Sequence, residues 1–208
     1  MDEALLRKTL ERSRELGFLG PGPIAGHLSH SRAMASVLGV SPGSFLDLGS
    51  GGGVPGLVLA LHFPEARGVL LDSMDRRCAF LREAISALGI ADRIEVVHDR
   101  AERAGHDSGL RERFDAVFAR SFGPGAVTAE SGAAFSTVGG ALVVSEPPGG
   151  VRDWPPEHLG ELGLAVDKVT AKGPRAGEYS VVVLRKVATL DQRFPRRVGV
   201  PAKRPLWR

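Results

Sequence analysis

Ser44-Phe45-Leu46-Asp47-Leu48-Gly49-Ser50-Gly51-Gly52-Gly53-Val54-Pro55-Gly56 is the stretch whose reading decides the fold. Its first five residues are a short apolar run, set off upstream by Ser41-Pro42-Gly43 and ending at glycines. A run of that length between turn residues reads as a buried strand. Beyond the glycines, Leu57, Leu59 and Leu61 open a helical segment. Strand, glycine-rich turn and helix in that order begin a βαβ unit, in which glycines permit a sharp turn and let a ligand approach without Cβ atoms in the way.

Two cofactor classes compete for this turn. Gly51-x-Gly53-x-x-Gly56 satisfies the dinucleotide pattern, which by itself is weak. Asp47, however, places a carboxylate at the end of a buried strand, where it suits an ammonium-bearing cofactor and would face a pyrophosphate poorly. The spacing Asp-x-Gly-x-Gly-x-Gly therefore favours S-adenosyl-L-methionine over a nicotinamide dinucleotide. Asp72, in Leu70-Leu71-Asp72-Ser73, ends the next apolar run, where an acid can accept from both ribose hydroxyls of either cofactor.

Outward from the turn, strand-like runs at residues 68–71, 94–97, 114–119 and 141–144 alternate with helical patterns. Between Leu71 and Ile94, Cys78, Leu81, Ile85 and Leu88 share one helical face, with Ser73 placed to cap the start and Gly89 the end. Such alternation predicts a parallel sheet. After Pro147-Pro148, residues 164–169 and 179–184 are strand candidates joined by Lys172-Gly173-Pro174-Arg175-Ala176-Gly177, a spacing that favours an antiparallel hairpin. Upstream, residues 2–16 read as a helix capped by Gly17, Gly20-Pro21-Gly22-Pro23 breaks it, and residues 30–38 read as a second short helix.

With 208 residues, 43% of them hydrophobic, the chain can fill one main core. No apolar stretch approaches the roughly 18 residues of a membrane-spanning helix, and the charged N-terminus is unlike a signal peptide, so a cytoplasmic location is expected. The lone Cys78 allows no intrachain disulfide and no thiolate metal site, and its place on an apolar helix face predicts packing. His27-x-x-His30 lacks any pattern to complete a zinc site, so no metal is expected. Trp154 and Trp207 are too far apart in sequence to argue a base-stacking platform. Net charge is only +3, yet Arg185, Lys186, Arg193, Arg196, Arg197, Lys203, Arg204 and Arg208 stand near the end against the single acid Asp191. That segment reads equally as a site for a polyanion or as a solvated tail.

At this point the residues resemble the RsmG (GidB) family, methyltransferases that act on N7 of a guanine in small-subunit ribosomal RNA. The resemblance spans about residues 24–122: His27-Leu28-x-x-Ser31, the glycine turn with its Pro55-Gly56, Leu71-Asp72-Ser73-x-x-Arg76-Arg77-x-x-Phe80-Leu81, Arg100-Ala101-Glu102, and Phe114-Asp115-x-Val117-x-Ala119-Arg120-Ser121-Phe122. The end, Phe194-Pro195-Arg196-Arg197-x-Gly199-x-Pro201-x-Lys203-x-Pro205-Leu206, is similar too.

The resemblance implies a class I, Rossmann-like methyltransferase: an α/β fold with a seven-stranded, mostly parallel sheet and an antiparallel C-terminal hairpin. The expected division is a helical N-terminal extension over 1–40, the methyltransferase domain over 41–188 and a basic tail over 189–208. It implies an S-adenosyl-L-methionine site formed by Asp47, Gly49, Gly51, Gly53, Val54, Asp72, Ser73, Ala101 and Glu102, with Ala101-Glu102 bracketing the adenine. Arg120 would sit at the rim, orienting the cofactor carboxylate or a phosphate. Arg196, Arg197, Lys203 and Arg204 are the expected contacts to ribosomal RNA or the small subunit, and a monomer is expected.

Departures from the family pattern are His30 where it has an acid, Asp99 where it has a glycine, and Glu146 where it has a lysine. The last would set an acid toward an incoming phosphate. Beside the ribosomal RNA methyltransferase stand two other readings: a small-molecule methyltransferase of the same fold, and a non-catalytic RNA-binding module that keeps the pocket.

Overall fold

Five parallel strands can hydrogen-bond side by side only if the chain returns across the sheet between them, and helices make those returns here. The computed structural model describes residues 3–147, 150–170 and 179–208. Its parallel strands are β1 (Ser44–Leu48), β2 (Arg67–Asp72), β3 (Ile94–His98), β4 (Phe114–Ala119) and β5 (Ser136–Ser145). β6 (Leu164–Thr170) and β7 (Val181–Lys186) close the sheet antiparallel. The seven strands run in the order β3-β2-β1-β4-β5-β7-β6, the α/β class I methyltransferase topology that the sequence predicts. The order reverses between β1 and β4, so the crevice for a ligand lies beyond the C-terminal ends of those two strands.

Side chains alternate between two cores, one on each face of the sheet. Phe45, Leu70 and Phe118 pack on one face with Leu6 and Leu10 of α1 (Glu3–Glu15), Leu28 and Met34 of α2 (Ile24–Ser36), α3 (Gly56–His62) and α4 (Asp75–Ala87). Leu46, Leu48, Val117 and Val144 pack on the other with α5 (Ala101–Ala104), α6 (Gly125–Ala133) and α7 (Pro156–Glu161). By this parity Asp47 follows Phe45, and Arg120 follows Phe118, onto the face that α2 covers.

Several boundaries differ from the sequence expectation, each for a physical reason. α2 begins at Ile24, well before residue 30, because Pro23 takes the extended N-cap conformation and the helix starts at once behind it. α4 is capped by Met74, with no side-chain cap bond from Ser73; Gly89 does terminate it in the left-handed conformation, φ +66°. β5 extends back to Ser136 through Gly139-Gly140, a pair that reads as a break in sequence. At Gly140 a Cβ would meet the Asp115 carbonyl at 2.9 Å, beside the register shift between Phe114 and Ala116, so the glycine marks a bulge. β7 runs to Lys186, not Leu184, and starts at Val181 because Tyr179 is drawn aside, its hydroxyl donating to the Gly26 carbonyl at 3.0 Å. The connection at 172–177 lies outside the described residues.

The chain beyond residue 188 is tied down rather than free. Leu190 and Phe194 are buried, Arg111 donates to their carbonyls at 2.9 and 2.8 Å, and α8 (Val200–Lys203) follows. Arg196 is not a free surface cation. It grips the fully buried Glu130 of α6, with its Nη2 2.6 Å from Oε2, its Nε 3.0 Å from Oε1 and its backbone N–H 2.8 Å from Oε1. Removing the cation from a buried pair strands the other charge, a loss of about 3 kcal/mol or more. Arg196→Ala is therefore expected to lower unfolding stability by about that amount in urea titrations, whereas Arg197→Ala, on the exposed side, stays within about 0.5 kcal/mol of wild type.

Candidate cofactor and acceptor site

The turn after β1 is organised by two carboxylates. Asp47 has no exposed surface, and its Oδ2 accepts from the Gly56 N–H at 2.8 Å, which fixes the far end of the turn to the strand. Asp72, at the end of β2, accepts from Gly51 N at 2.8 Å through Oδ2 and from Met74 N at 2.9 Å through Oδ1. The Leu71 carbonyl accepts from both Gly49 and Ser50 N–H groups at 2.9 Å. The whole turn thus hangs on β1 and β2 by main-chain donors.

The glycines divide into two sets. Gly52 and Gly53 are demanded by the protein itself: a Cβ at Gly52 would lie 2.5 Å from Ser13 Oγ, and one at Gly53 would strike the Leu57 side chain. Ser13 Oγ in turn donates to the Gly52 carbonyl at 2.8 Å, so α1 rests on the back of the turn. Gly51, with φ +54°, has only the Gly49 carbonyl near its Cβ position, at 3.8 Å. That is the open side, where a ligand can lie against backbone. Val54 is half-buried at the turn's far side and Ser73 is exposed beyond Asp72.

Asp47 Oδ1 is buried and, among the described residues, accepts no hydrogen bond. Burial pushes the Asp47 carboxyl up to about 7, against the pull of the Gly56 and Ser50 hydrogen bonds, with the Asp72 charge adding to the rise. A buried acceptor left open in this way fits an ammonium group, and Asp72 keeps acceptor capacity for a diol. The residues present therefore suit S-adenosylmethionine.

Arg120 lies on the same face of the sheet as Asp47, near enough for the two charges to act on each other. Leu48 pairs with Ala119, so Arg120 begins where the glycine turn begins. Its Nη2 donates to His27 Nδ1 at 2.8 Å, while Nη1 is buried and free of any partner among the described residues. Behind the pair, His30 bonds Ser145 Oγ at 2.9 Å and stacks on Tyr179 with ring centroids 4.0 Å apart. Burial first, then the Arg120 charge, lowers His27 and brings His30 down to about 4, so both rings are neutral. Ser121, in the left-handed region at φ 55°, is a strained non-glycine residue that sets Phe122 against Gly49, where a Cβ would come within 2.7 Å of the ring.

Ala101 and Glu102 begin α5 behind β3, as the sequence expectation places them, but the Glu102 carboxylate turns to the C-terminal segment. Oε1 accepts from Gly199 N at 3.0 Å and from Arg100 Nη2 at 3.2 Å. That carboxylate is thus engaged within the protein itself. Arg197, Lys203 and Arg204 are exposed on the segment so anchored. Glu146 does not point toward an incoming phosphate. It is buried, with Arg152 Nε 3.1 Å from Oε2 and Trp154 Nε1 donating to Oε1 at 3.1 Å. Trp154 and Trp207, distant in sequence, meet at 6.3 Å, with His158 stacked on Trp207.

His27, His30, Ser145 and Tyr179 were not among the predicted site residues. The available signal was the spacing of His27 and His30, which puts both rings on one face of a helix. Among the described residues no cluster of His, Cys, Asp or Glu could hold a metal, and no helix is long and apolar enough to cross a membrane. Cys78 is buried, its thiol donating to the Asp72 carbonyl.

Sheet order, switch-point crevice and glycine turn define a Rossmann-like methyltransferase fold. A methyltransferase from Geobacter sulfurreducens superposes with a TM-score of 0.61 at 18% identity, over 90% of this chain and 90% of that one. Cofactor-bound Rv0187 from MTB also gives 0.61 at 18% identity, over 90% and 92%. More specifically, the family profile for rRNA small subunit methyltransferase G (GidB) matches residues 24–145. The ribosomal RNA small subunit methyltransferase G of Rubrobacter xylanophilus is 37% identical over 98% of this chain and 81% of its own length. That of Thermotoga maritima is 37% identical over 79% and 69%. The chain belongs to the rRNA small subunit methyltransferase G family.

Asp47 gives a direct measure of the pocket's electrostatics. Its ordinary value is 3.8, and the folded protein holds the proton up to about 7, so stability falls as pH rises through that window and the deficit is complete above it. Asp47→Asn keeps an acceptor for Gly56 and removes the charge. Without ligand, the variant should gain a few kcal/mol relative to wild type between about pH 4 and about pH 8 in thermal or urea unfolding. A constant gap across that range would show that Asp47 is ionised throughout.

Proposed function

We propose that this chain transfers a methyl group from S-adenosyl-L-methionine to N7 of a guanine in small-subunit ribosomal RNA. The observation that carries the cofactor half is the fully buried Asp47 Oδ1, without a partner among the described residues, together with the open flank of Gly51 in the same turn. Family membership supports the acceptor half. When bound, the cofactor supplies a methyl group on a sulfonium, an electrophile that needs no further activation.

Asp47 takes the ammonium, Asp72 the ribose diol, and the main chain of Gly49, Gly51 and Val54 the body of the ligand, with Ala101-Glu102 lining the adenine side. Arg120 Nη1, buried and unpaired, meets the carboxylate of the methionine moiety, where a guanidinium makes charge-assisted bonds. Guanine N7 carries a lone pair and no proton, so the chemistry asks for no base and none is assigned. What remains is positioning, and holding a nucleophile in line is by itself a large part of the rate. Phe122, held over Gly49 by the strained Ser121, gives the crevice mouth an apolar face on which a planar base can lie. Arg197, Lys203 and Arg204 draw the RNA backbone toward that mouth. Arg196 has another task, in its bond to Glu130.

The pairing of Glu146 with Arg152 removes the feature that set an acid at the RNA approach, and with it the main sequence argument for a small-molecule acceptor. Incubation with methyl-labelled cofactor and small ribosomal subunits should place label on one guanine of the ribosomal RNA, mapped by nuclease digestion. Label on metabolites alone, or RNA bound with nothing transferred, would sink the proposal. Arg197→Ala/Lys203→Ala/Arg204→Ala should leave cofactor affinity unchanged. It should also flatten the dependence of log affinity for RNA on log salt by about two units, near the value for the counterions of three phosphate contacts on a single strand.

A further inference from the structure

Among the described residues Arg120 makes one side-chain hydrogen bond, and its partner lies outside the sheet. Nη2 donates to His27 Nδ1 at 2.8 Å, from the end of β4 to the first turn of α2. Arginine has no acceptor, so the direction is fixed: Nδ1 carries the lone pair and the His27 proton sits on Nε2. His27 is 6% exposed, its carbonyl accepts from Ser31 Oγ at 2.9 Å within the same helix, and its Nε2 is buried without a partner among the described residues. Arg120 Nη1, the other arm of the same planar fork, is buried and unsatisfied among the described residues. A buried guanidinium nitrogen without a partner is costly unless a ligand completes it.

We infer that His27 is a positioning residue for the methyl-transfer site: by accepting from one arm of Arg120, it aims the other arm at the carboxylate of the cofactor's methionine moiety. The guanidinium is rigid and flat, so fixing Nη2 fixes Nη1. Asp47, on the same face, takes the ammonium of the same moiety, and the Asp47 charge acts on Arg120 across that space. One amino-acid group is thus read by a carboxylate from β1 and by a guanidinium from β4, the latter set by a histidine from α2. The N-terminal helices become part of cofactor recognition rather than a covering layer. The inference rests on the reading of the pocket as an S-adenosylmethionine site.

Two ligands separate the roles: S-adenosylmethionine, and decarboxylated S-adenosylmethionine, which differs only in lacking the carboxylate. Affinities are measured by calorimetry for wild type, Arg120→Ala, His27→Leu, which keeps the buried bulk without the acceptor, and His27→Asn, which returns an acceptor oxygen. Wild type should prefer the carboxylate ligand. His27→Leu should lose about tenfold for S-adenosylmethionine and be unchanged for the decarboxylated ligand, whose retained binding also reports a folded pocket. His27→Asn should recover most of the loss, and His27→Leu should add little in an Arg120→Ala background. If the leucine variant does not fold, His27→Ala takes its place. Equal losses for both ligands, no loss for either, or full additivity with Arg120→Ala would overturn the assignment. Failure of wild type to bind S-adenosylmethionine would instead remove the pocket reading beneath it.

Discussion

A carboxylate with no exposed surface, at the end of the central strand, is the constraint from which the site follows. Asp47 cannot be hydrated, so its two oxygens must be satisfied by the protein or by a ligand. Oδ2 takes the Gly56 N–H, which requires the chain to return to within hydrogen-bond reach of Asp47 nine residues on. That return is the glycine turn. A side chain at Gly56 would collide with the same oxygen and with Leu70. Oδ1 has no partner among the described residues, and burial pushes the carboxyl up to about 7. The turn's shape and its ligand preference are two consequences of one buried group.

The central strands were legible because burial on both faces writes itself as uninterrupted apolar runs, and β1 and β4 have the limits that their sequences indicate. Asp47 and Asp72 were legible for a related reason: an acid in or closing such a run has no packing role. What sequence could not display was competition for side chains already singled out. Glu102 and Arg196 carry the charges expected of binding residues, yet Glu102 holds Gly199 and Arg196 holds Glu130. Those pairs span 97 and 66 residues, beyond any local pattern. Glu146 is the converse case, an acid that looks misplaced until Arg152 and Trp154 close on it.

The C-terminal segment gains a structural meaning from the same pairs. It is rich in cations, which alone would favour extension into solvent. Phe194 and Leu190 bury apolar surface, and Arg196 and Gly199 find buried carboxylates on α6 and α5. Docking by these groups leaves Arg197, Lys203 and Arg204 exposed on a fixed support rather than on a free tail. A fixed array loses less conformational entropy on meeting RNA than a flexible one would. Glu102 is the joint: it stands in the short helix behind β3, and its carboxylate holds the basic segment.

The N-terminal helices complete the argument from the opposite face. α1 supports the glycine turn through Ser13, whose hydroxyl, with the Phe18 carbonyl and the Leu19 side chain, fills the space that a Gly52 side chain would need. α2 reaches the end of β4 through His27 and the end of β5 through His30. Stacking on His30 also brings in Tyr179, which precedes β7 and bonds back to Gly26. The polar crown over the crevice is therefore a closed circuit from α2 through the sheet and back to α2. Within it the neutral state of His27 is needed, since a protonated His27 Nδ1 could not accept from Arg120. Burial and the nearby guanidinium secure that state. Burial first, and the Arg120 charge second, lower His27, and the lone pair so kept on Nδ1 is the one to which Arg120 donates.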